Sequence, residues 1–592
     1  MCLGALHTLF RIFGDVGDNL SPATWRTCFY TIIREMMNAN QQEYEQRTLS
    51  VEAEKTSSTL TAEWNQTAIV VVDGTAGIIS SNLNIMSREP SFPKVWGELL
   101  QGLRSFLKRS VLELSKAVFS GMVAITEEIE DVGAVSRASV DETWELWKAF
   151  NPSLHISNSQ TSMNNQEALL SYLQLLSQIQ RLNDPESRMK RAEAIIAELQ
   201  SCVINANVGA YTTDVDRMTP VQQGVLENLK MIPTKLPSAL SCVTRFIVFL
   251  IGLPYHESPK QKGQTHLAIS RTAVEMLQNL VISQISKAGS SYDLATEALE
   301  ALAGPIHLKY KWYVDGKAPS SWRQATAAAL ETLETCMSSL LKNQEQDEVI
   351  GAFWEQIVRI IAGIVAADCE SSKAEINILE DEEFDMKAFA RIQKLAIPTL
   401  GSSTIPDSVR QEYARTIFEK SLIHEPHPDD LARPNEGLLD GLKRNHIGRT
   451  NDLPPTPRKQ MSYLLLDELF DIVAVHDGSP ERVRLAQAAA PYLILRAGLT
   501  LKAYVLDQPL RGRAPQPYSE KLEMFHLLDK LVELKCEPKA FADAGSVVSL
   551  HRKHLYQLYP LVTKALRAAF RDDEMTKALG KVLDAVGQDF GV

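Results

Sequence analysis

Apolar residues recur at helical spacing along most of this chain. The first complete example lies between Ser21 and Met37, where Ser21-Pro22 places a capping side chain before a proline at the first helical position. The large apolar residues that follow stand three or four positions apart or side by side and share one helical face: Trp25, Phe29, Ile32, Ile33 and Met36. This pattern predicts an amphipathic helix that buries that face.

Similar apolar stripes follow, separated by short polar connections. Thr219-Pro220 repeats the cap and proline, and two capping boxes, Ser110 with Glu113 and Ser139 with Glu142, are predicted before later stripes. Strand signals are scarce, and two helices recur roughly every 40 residues, a spacing typical of HEAT and armadillo repeats. The sequence therefore predicts an all-α fold, a HEAT/armadillo-like α-solenoid of antiparallel helix pairs.

Breaks in the hydrophobic pattern divide the chain into five predicted segments. In chain order they are N-terminal helical repeats (1–151), a hinge with a helical pair (152–218), central helical repeats (219–423), a flexible loop (424–460) and C-terminal helical repeats (461–592). The loop is rich in Pro, Asp, Asn and Gly, which is typical of segments outside packed structure. The polar stretch Asn38–Ser58 predicts a second loop, within the N-terminal repeats.

The composition is typical of a folded protein and disfavours some partners. At 592 residues the chain exceeds what one compact core accommodates, while its 45% hydrophobic and 23% charged residues are ordinary proportions. A net charge of −12 disfavours nucleic acid as a partner, because such binding needs a basic surface. The 7 cysteines are scattered and form no CxxC pair, which indicates a reducing compartment.

The sequence shows no leader-peptide pattern. The longest apolar stretch, Cys242–Leu253, contains Arg245 and is too short to cross about 30 Å of hydrocarbon, so it predicts a buried helix. We therefore expect a soluble chain whose association with membranes is peripheral. The apolar stripe from Leu3 to Phe13 begins without a cap, which indicates a truncated start.

The sequence carries no motif typical of a catalytic, cofactor or metal site. Phosphate-binding glycine loops, nucleophile elbows and zinc-hydrolase helices are absent, so we expect neither an enzyme nor a bound cofactor. His424-Glu425-Pro426-His427 comes nearest to a metal site, but a histidine spacing of three and an intervening proline favour a surface loop. The acidic run Glu380–Asp385 predicts a solvated helix start, and His551–His554 predicts a solvated helix face.

Two groups of basic residues are candidate contacts. The first group lies in the predicted loop, and it is a candidate contact for anionic lipid or, alternatively, part of a solvated loop: Lys443, Arg444, Arg449, Arg458 and Lys459. The second group, Arg511 and Arg513 around Gly512, is a candidate partner contact or, alternatively, a structural turn between helices.

Several segments together resemble one protein family. They are Thr8–Trp25, Met218–Leu229, Asp467–Ile472, Tyr504–Pro517 and His554–Val562. In this order they resemble the carboxy-terminal portion of the Mon-two family, also called endocytosis and vacuolar integrity proteins. These proteins are relatives of the large Sec-seven Arf exchange factors. The resemblance is spread over essentially the whole chain.

The resemblance implies a helical-repeat scaffold that lacks the catalytic exchange domain and acts on the cytosolic face of the trans-Golgi network and endosomes. It also implies three partners: a Dopey-like protein, an Arf-like small GTPase and an aminophospholipid flippase. The implied processes are endocytosis, endosome-to-Golgi traffic and vacuolar protein sorting. Two alternatives stay open, the carboxy-terminal regulatory region of an Arf exchange factor and a cargo-binding helical repeat of the nuclear-transport kind. Assembly into a homo-oligomer also stays open.

Overall fold

The computed structural model divides into two compact units, Met1–Ala273 and Val274–Val592. It describes residues 3–49, 57–129, 135–155, 165–207, 214–255, 265–285, 292–310, 319–340, 347–367, 369, 377–424, 454–512, 514–541 and 550–589. Within these ranges the regular structure is helical, apart from one isolated antiparallel bridge between Ala474 and Cys536. The predicted all-α class is confirmed, while the five predicted segments are a finer division and stay predictions.

The described helices of the first unit range from 6 to 30 residues in length. They are α1 (Leu3–Val16), α2 (Pro22–Cys28), α3 (Arg34–Leu49), α4 (Ser57–Met86), α5 (Phe92–Leu107), α6 (Leu112–Glu127), α7 (Arg137–Ala149), α8 (Gln166–Leu182), α9 (Pro185–Lys190), α10 (Ala192–Asn205), α11 (Pro220–Lys230) and α12 (Pro237–Gly252). A π-helical turn, Phe29–Ile33, joins α2 to α3. The next helix, α13 (Leu267–Ile285), contains the division between the units.

The helices of the first unit pack in two layers. α4, α6, α8 and α11 follow one another in one layer, and α3, α5 and α7 follow one another in the other. Each helix also packs on a neighbour in the chain, as α3 does on α4 and α7 on α8. The contacts Lys116–Glu167 and Ser120–Ser171, between α6 and α8, both join residues 51 positions apart. Helices of one layer therefore run parallel, and helices that alternate between the two layers run antiparallel.

The predicted apolar stripes form the core of this unit. Trp25 and Phe29 are fully buried, and Trp25 stacks on Phe13 with ring centroids 5.6 Å apart. Further along, Trp147 stacks on Tyr172 at 4.6 Å and its indole donates to the Tyr172 carbonyl at 3.0 Å. Burying a large apolar side chain contributes about 2–3 kcal/mol, so such pairs stabilise the stacking of successive repeats.

The second unit continues the same construction with longer helices. They are α14 (Tyr292–His307), α15 (Ser321–Leu340), α16 (Asp347–Val365), α17 (Ile378–Leu400), α18 (Asp407–Lys420), α19 (Lys459–Val473), α20 (Pro480–Arg511), α21 (Tyr518–Glu533), α22 (Lys553–Ala568) and α23 (Asp573–Asp589).

Two layers recur in the second unit. α14, α16, α18, α20 and α22 pack in sequence in one layer, and α15, α17 and α19 pack in sequence in the other. The pairs Arg323–Glu380 and Glu334–Arg391 both join α15 to α17 across 57 positions, which again makes helices of one layer parallel. Each unit is thus an α-solenoid of antiparallel helix pairs, as the sequence predicts.

The structure confirms two of the predicted helix caps and contradicts two others. The Ser21 hydroxyl accepts the Thr24 N–H at 3.2 Å, and Thr219 forms a full capping box with Gln222. Ser110, in contrast, adopts φ 56°, and α6 begins beyond it without a side-chain cap, so its predicted box is wrong. The box at Ser139 is also wrong, because α7 begins three residues earlier and is capped by Ser136.

The stretch predicted as a loop at Asn38–Ser58 is helical wherever it is described. α3 continues to Leu49, and α4 begins at Ser57. The polar residues of α3 are accommodated because Arg109 reaches them from the end of α5. Its guanidinium donates to Asn40 and to Gln41, both at 2.8 Å, and lies 4.1 Å from the Tyr44 ring centroid.

Two of the described helices are long and apolar enough to cross a membrane, judged by length and composition alone. They are Ala62–Met86, within α4, and Pro237–Tyr255, which contains α12. In the most apolar window of each, 50% and 44% of the residues are buried inside the protein. The predicted buried helix at Cys242–Leu253 falls in the second of these.

Candidate functional site

The basic residues predicted as contacts do not form one site. Lys443, Arg444, Arg449 and Arg513 lie outside the described residues. Lys459 is exposed at the first position of α19, where its ammonium is available to a partner or a membrane. Its predicted contact with anionic lipid stays a prediction.

Arg458 is buried, so the predicted lipid contact is wrong for this residue. Its side chain is 6% exposed, and its Nη2 donates to Asp385 Oδ2 at 2.6 Å. Lys309 Nζ donates to the same oxygen at 2.7 Å. We call these three residues the Asp385 cluster. Because Lys309 follows α14, Asp385 lies in α17 and Arg458 precedes α19, the cluster joins three parts of the second unit.

Two more carboxylates of α17 extend this network. Asp381 accepts hydrogen bonds from the Tyr310 hydroxyl at 3.0 Å and from Arg323 Nε at 3.1 Å. Glu382 accepts a backbone N–H of α19 at 2.7 Å. The acidic run Glu380–Asp385 correctly predicted the first turns of α17. The prediction that this run faces solvent is wrong for Asp381, Glu382 and Asp385, which are buried. Basic and hydroxyl partners from neighbouring elements make that burial tolerable.

Burial dominates the electrostatics of the Asp385 cluster. Burial lowers the pKa of Lys309 from 10.5 to about 8, against the attraction of Asp385. Burial also raises the pKa of Asp385, although Lys309 and Arg458 oppose the shift. The Asp385 carboxylate lies between two buried cations and offsets their charge in part. This arrangement holds helices in register rather than exposing a group to a ligand.

A second buried cluster surrounds Glu523 in α21. Arg496 Nη2 donates to Glu523 Oε1 at 2.6 Å, and His424 Nδ1 lies 2.7 Å from the other carboxylate oxygen. His424 Nε2 lies 3.0 Å from Ser519 Oγ. Ser519, His424 and Glu523 are therefore hydrogen-bonded in the same order as the serine, histidine and carboxylate of a hydrolase triad. Burial alone would raise the pKa of Glu523, but Arg496 and His424 outweigh it and lower the pKa to about 2.

The presence of Arg496 indicates that the Glu523 cluster has a structural role and not that of a catalytic triad. Its guanidinium, 1% exposed, already neutralises the carboxylate that a triad would use to stabilise a histidine cation. Both ring nitrogens of His424 are engaged, which leaves neither free for a metal. Glu425 and His427, the other members of the predicted metal candidate, lie outside the described residues. Within the described part of the chain, no group of three or more His, Cys, Asp and Glu side chains is placed to hold a metal ion.

Arg511 is internal as well, and its predicted role as a partner contact is wrong. The residue is 9% exposed; its guanidinium bonds to Asp507 one helical turn earlier and lies 3.6 Å from Glu520. Gly512 follows with φ 60°, in the left-handed region that favours glycine, and ends α20. The alternative interpretation, a structural turn between helices, agrees with this geometry.

The predicted solvated face at His551–His554 is wrong for its last two residues. His554 is fully buried with Nε2 3.0 Å from the Leu531 carbonyl, and burial lowers its pKa to about 4. Lys553 donates to the Pro538 carbonyl at 2.9 Å. These side chains fasten α22 to the end of α21 and to the 3₁₀ turn that follows it.

An open groove on the first unit is the candidate binding surface. It lies between α5 and α7 and has a volume of about 640 Å³. Its lining residues are Gly97, Leu100, Gln101, Arg104, Ser105, Lys108, Asp141, Glu142 and Glu145. We call this feature the α5–α7 groove.

The two walls of the groove carry opposite charges. The α5 wall contributes Arg104 and Lys108, and the α7 wall contributes Glu142 and Glu145, all exposed. Within the described residues, none of these four side chains takes part in a hydrogen bond or an ion pair. Asp141 is different, because it pairs with Arg191 at 2.6 Å.

Hydrogen bonds from Trp96 set the register of the two walls. Its indole N–H lies 3.2 Å from the Ser139 carbonyl and 3.1 Å from Thr143 Oγ1, which places the start of α5 beside the first turns of α7. A Cβ added at Gly97 would lie 3.4 Å from Glu142 Oε2. Glu142 therefore lies beside Gly97, Glu145 lies about one turn further along α7, and Arg104 and Lys108 lie further along α5.

No motif in the sequence singles out the groove residues. A signal was present, because Gln101, Arg104 and Lys108 stand at positions i, i+3 and i+7 on the polar side of the Phe92–Phe106 stripe. Such a row is equally typical of a helix that simply faces solvent. Only the packing of α5 beside α7 shows that this row borders a groove with carboxylates on its other wall.

Known proteins show little similarity to this chain. No family model matches the chain, and no curated protein matches it. Among solved structures, the chain is similar to one titled "Circular tandem repeat protein with novel repeat topology and enhanced subunit contact surfaces". That similarity has 13% sequence identity, covers 94% of this chain and 96% of the other, and has a TM-score of 0.25. It is too distant to carry an argument, so the fold rests on the helix packing described above.

Proposed function

We propose that this protein is a non-enzymatic scaffold of endosome and trans-Golgi vesicle traffic and vacuolar protein sorting. In this proposal, partner proteins dock on its helical-repeat surfaces while it associates peripherally with membranes on their cytosolic side. The observation that carries the proposal is the two-layer packing in each unit, since each layer presents the outward faces of its parallel helices as ridges. Stacked helices of this kind offer extended surfaces to other proteins.

The cellular setting of the proposal comes from the resemblance to the Mon-two family. On that basis the expected partners are a Dopey-like protein, an Arf-like small GTPase and a flippase. The buried clusters around Asp385 and Glu523 fit such a scaffold, because they join helices that lie far apart in the sequence. Charge pairing of this kind holds adjacent repeats in one arrangement and leaves the outer ridges available for binding.

Affinity purification from cells, followed by mass spectrometry, tests the proposal. The tagged full chain should recover Dopey-like and Golgi proteins, and a fluorescent fusion should label the trans-Golgi network and endosomes. An unrelated helical-repeat protein of similar size and net charge serves as the control bait. Recovery of importin-pathway proteins with a Ran-type GTPase would instead favour a nuclear-transport role. Acceleration of nucleotide exchange on an Arf would contradict a non-enzymatic scaffold.

A further inference from the structure

We propose that the α5–α7 groove binds a protein segment that carries basic residues at one end and acidic residues at the other. This inference rests on the proposed scaffold function and specifies its first docking surface. Four exposed charges border the groove without partners among the described residues: Arg104, Lys108, Glu142 and Glu145.

The packing of the groove keeps its own charges apart. Elsewhere in this layer, opposite charges on adjacent helices meet, as Arg34 of α3 and Glu98 of α5 do at 4.0 Å. Asp141 likewise meets Arg191 at 2.6 Å. In the groove, however, the Glu142 carboxylate lies beside Gly97, and among the described residues neither Glu142 nor Glu145 pairs with Arg104 or Lys108, which lie further along α5. Opposite charges that face the same space without contact are the arrangement that a complementary ligand satisfies.

The spacing along α5 defines the segment that fits. Arg104 and Lys108 follow Gly97 by seven and eleven residues, which corresponds to about 10 and 16 Å at the helical rise of about 1.5 Å per residue. Glu145 lies about one turn closer to these basic residues than Glu142 does, because α7 runs parallel to α5. A helical partner would therefore place its basic and acidic residues about four to eleven positions apart. At the base of the groove, Leu100 is buried and Gly97 has no side chain, which allows a partner to approach α5 closely.

The same charges argue against a polyanionic ligand. Nucleic acid and anionic membranes present negative charge along their whole length, and Asp141, Glu142 and Glu145 would repel it. A uniformly basic segment would likewise be repelled by Arg104 and Lys108. A protein segment with separated charges satisfies both ends of the groove.

Selection from a phage-displayed library of helical peptides of about 14 residues tests the proposal, with the full chain as the target. Peptides that also bind a Gly97→Trp variant, in which the indole fills the groove, are removed during selection. The remaining peptides should carry basic and acidic clusters separated by about four to eleven residues. Synthetic copies with interleaved charges and the same composition should bind at least about tenfold more weakly in fluorescence anisotropy.

Charge reversal then separates groove binding from a general electrostatic effect. The double variant Arg104→Glu/Lys108→Glu should weaken binding of the selected peptides at least about tenfold. Adding Glu142→Lys and Glu145→Lys should restore binding, because a peptide can enter the groove with reversed polarity in the opposite direction. Lys564→Glu/Arg567→Glu changes two exposed basic residues of α22 to the same extent and should leave affinity unchanged. Equal thermal midpoints establish that all these variants are folded.

The proposal is overturned if no peptide distinguishes the native chain from Gly97→Trp. It is also overturned if the selected peptides bind Arg104→Glu/Lys108→Glu as tightly as the native chain, or if the fourfold variant fails to restore binding. These outcomes are distinct from failure of the trafficking role. If peptide selection succeeds while no Golgi protein is recovered from cells, the groove stands as a docking site and only its cellular setting changes.

Discussion

Replacing Asp385 with alanine should destabilise the part of the second unit where α14, α17 and α19 meet. One carboxylate oxygen of Asp385 accepts from both Lys309 and Arg458, at 2.7 and 2.6 Å. The side chains of the two basic residues are 1% and 6% exposed, so neither can turn to water once the carboxylate is removed. The substitution therefore leaves two buried cations without their shared anion.

The expected cost follows from that burial. Breaking a buried ion pair by removing one partner costs about 3–5 kcal/mol, a large share of the about 5–15 kcal/mol that stabilises a typical domain. Replacing all three residues with apolar ones, as in Lys309→Met/Asp385→Leu/Arg458→Met, removes the uncompensated charges. This triple variant should recover most of the loss, because buried charge networks are often no more stabilising than apolar packing.

Hydrogen exchange followed by mass spectrometry on the full chain measures this effect locally. Peptides from α14, α17 and α19 should exchange faster in the alanine variant by a factor that corresponds to about 3–5 kcal/mol of opening free energy. Peptides from α5, in the first unit, provide an internal reference. Lys387→Ala is the matched control: its ion pair with Glu383 lies on the same helix but is 72% and 67% exposed. That substitution should leave the exchange rates of these helices close to those of the native chain, because solvent screens an exposed pair.

Two results would refute this reasoning. One is a loss below about 1 kcal/mol for Asp385→Ala, comparable to that of Lys387→Ala, which would mean that the two buried cations find water or other acceptors. The other is a triple variant as unstable as the single one, which would mean that shape, not charge compensation, sets the stability of this region.

Three further predictions concern other parts of the molecule. Burial raises the pKa of Glu468 from 4.5 to about 7, so the folded state binds the extra proton and stability is lost as pH rises through that interval. Glu468→Gln should therefore stabilise the protein by up to about 3 kcal/mol at pH 8 and by little at pH 4, and equal denaturation midpoints at pH 8 would disprove it. Ser519 should not react with a fluorophosphonate probe, because Arg496 neutralises Glu523; labelling that disappears in Ser519→Ala would show a reactive serine. Phe29→Asp should unfold the first repeats, which limited proteolysis of the first unit would detect, and unchanged cleavage would contradict the packing of that residue.

The pattern of apolar residues determined the local structure of this protein. Helical spacing specified which face of each helix is buried, and Trp25 and Phe29 lie at the core positions that the spacing predicts. Caps were predictable where a proline fixes the first helical position, as at Ser21 and Thr219. They were not predictable at Ser139, where an earlier serine competes for the same role.

Only the tertiary structure decided which charged residues are buried. Arg458 and Arg511 stand in polar stretches that periodicity assigns to solvent, and each is compensated by a carboxylate that packing brings within reach. Asp385 lies 73 positions from Arg458 in the sequence, a separation over which no local pattern carries information. The α5–α7 groove has the same origin. A helix repeats every 3.6 residues and so records its own apolar face, whereas a salt bridge or a groove depends on the neighbour that packs beside it.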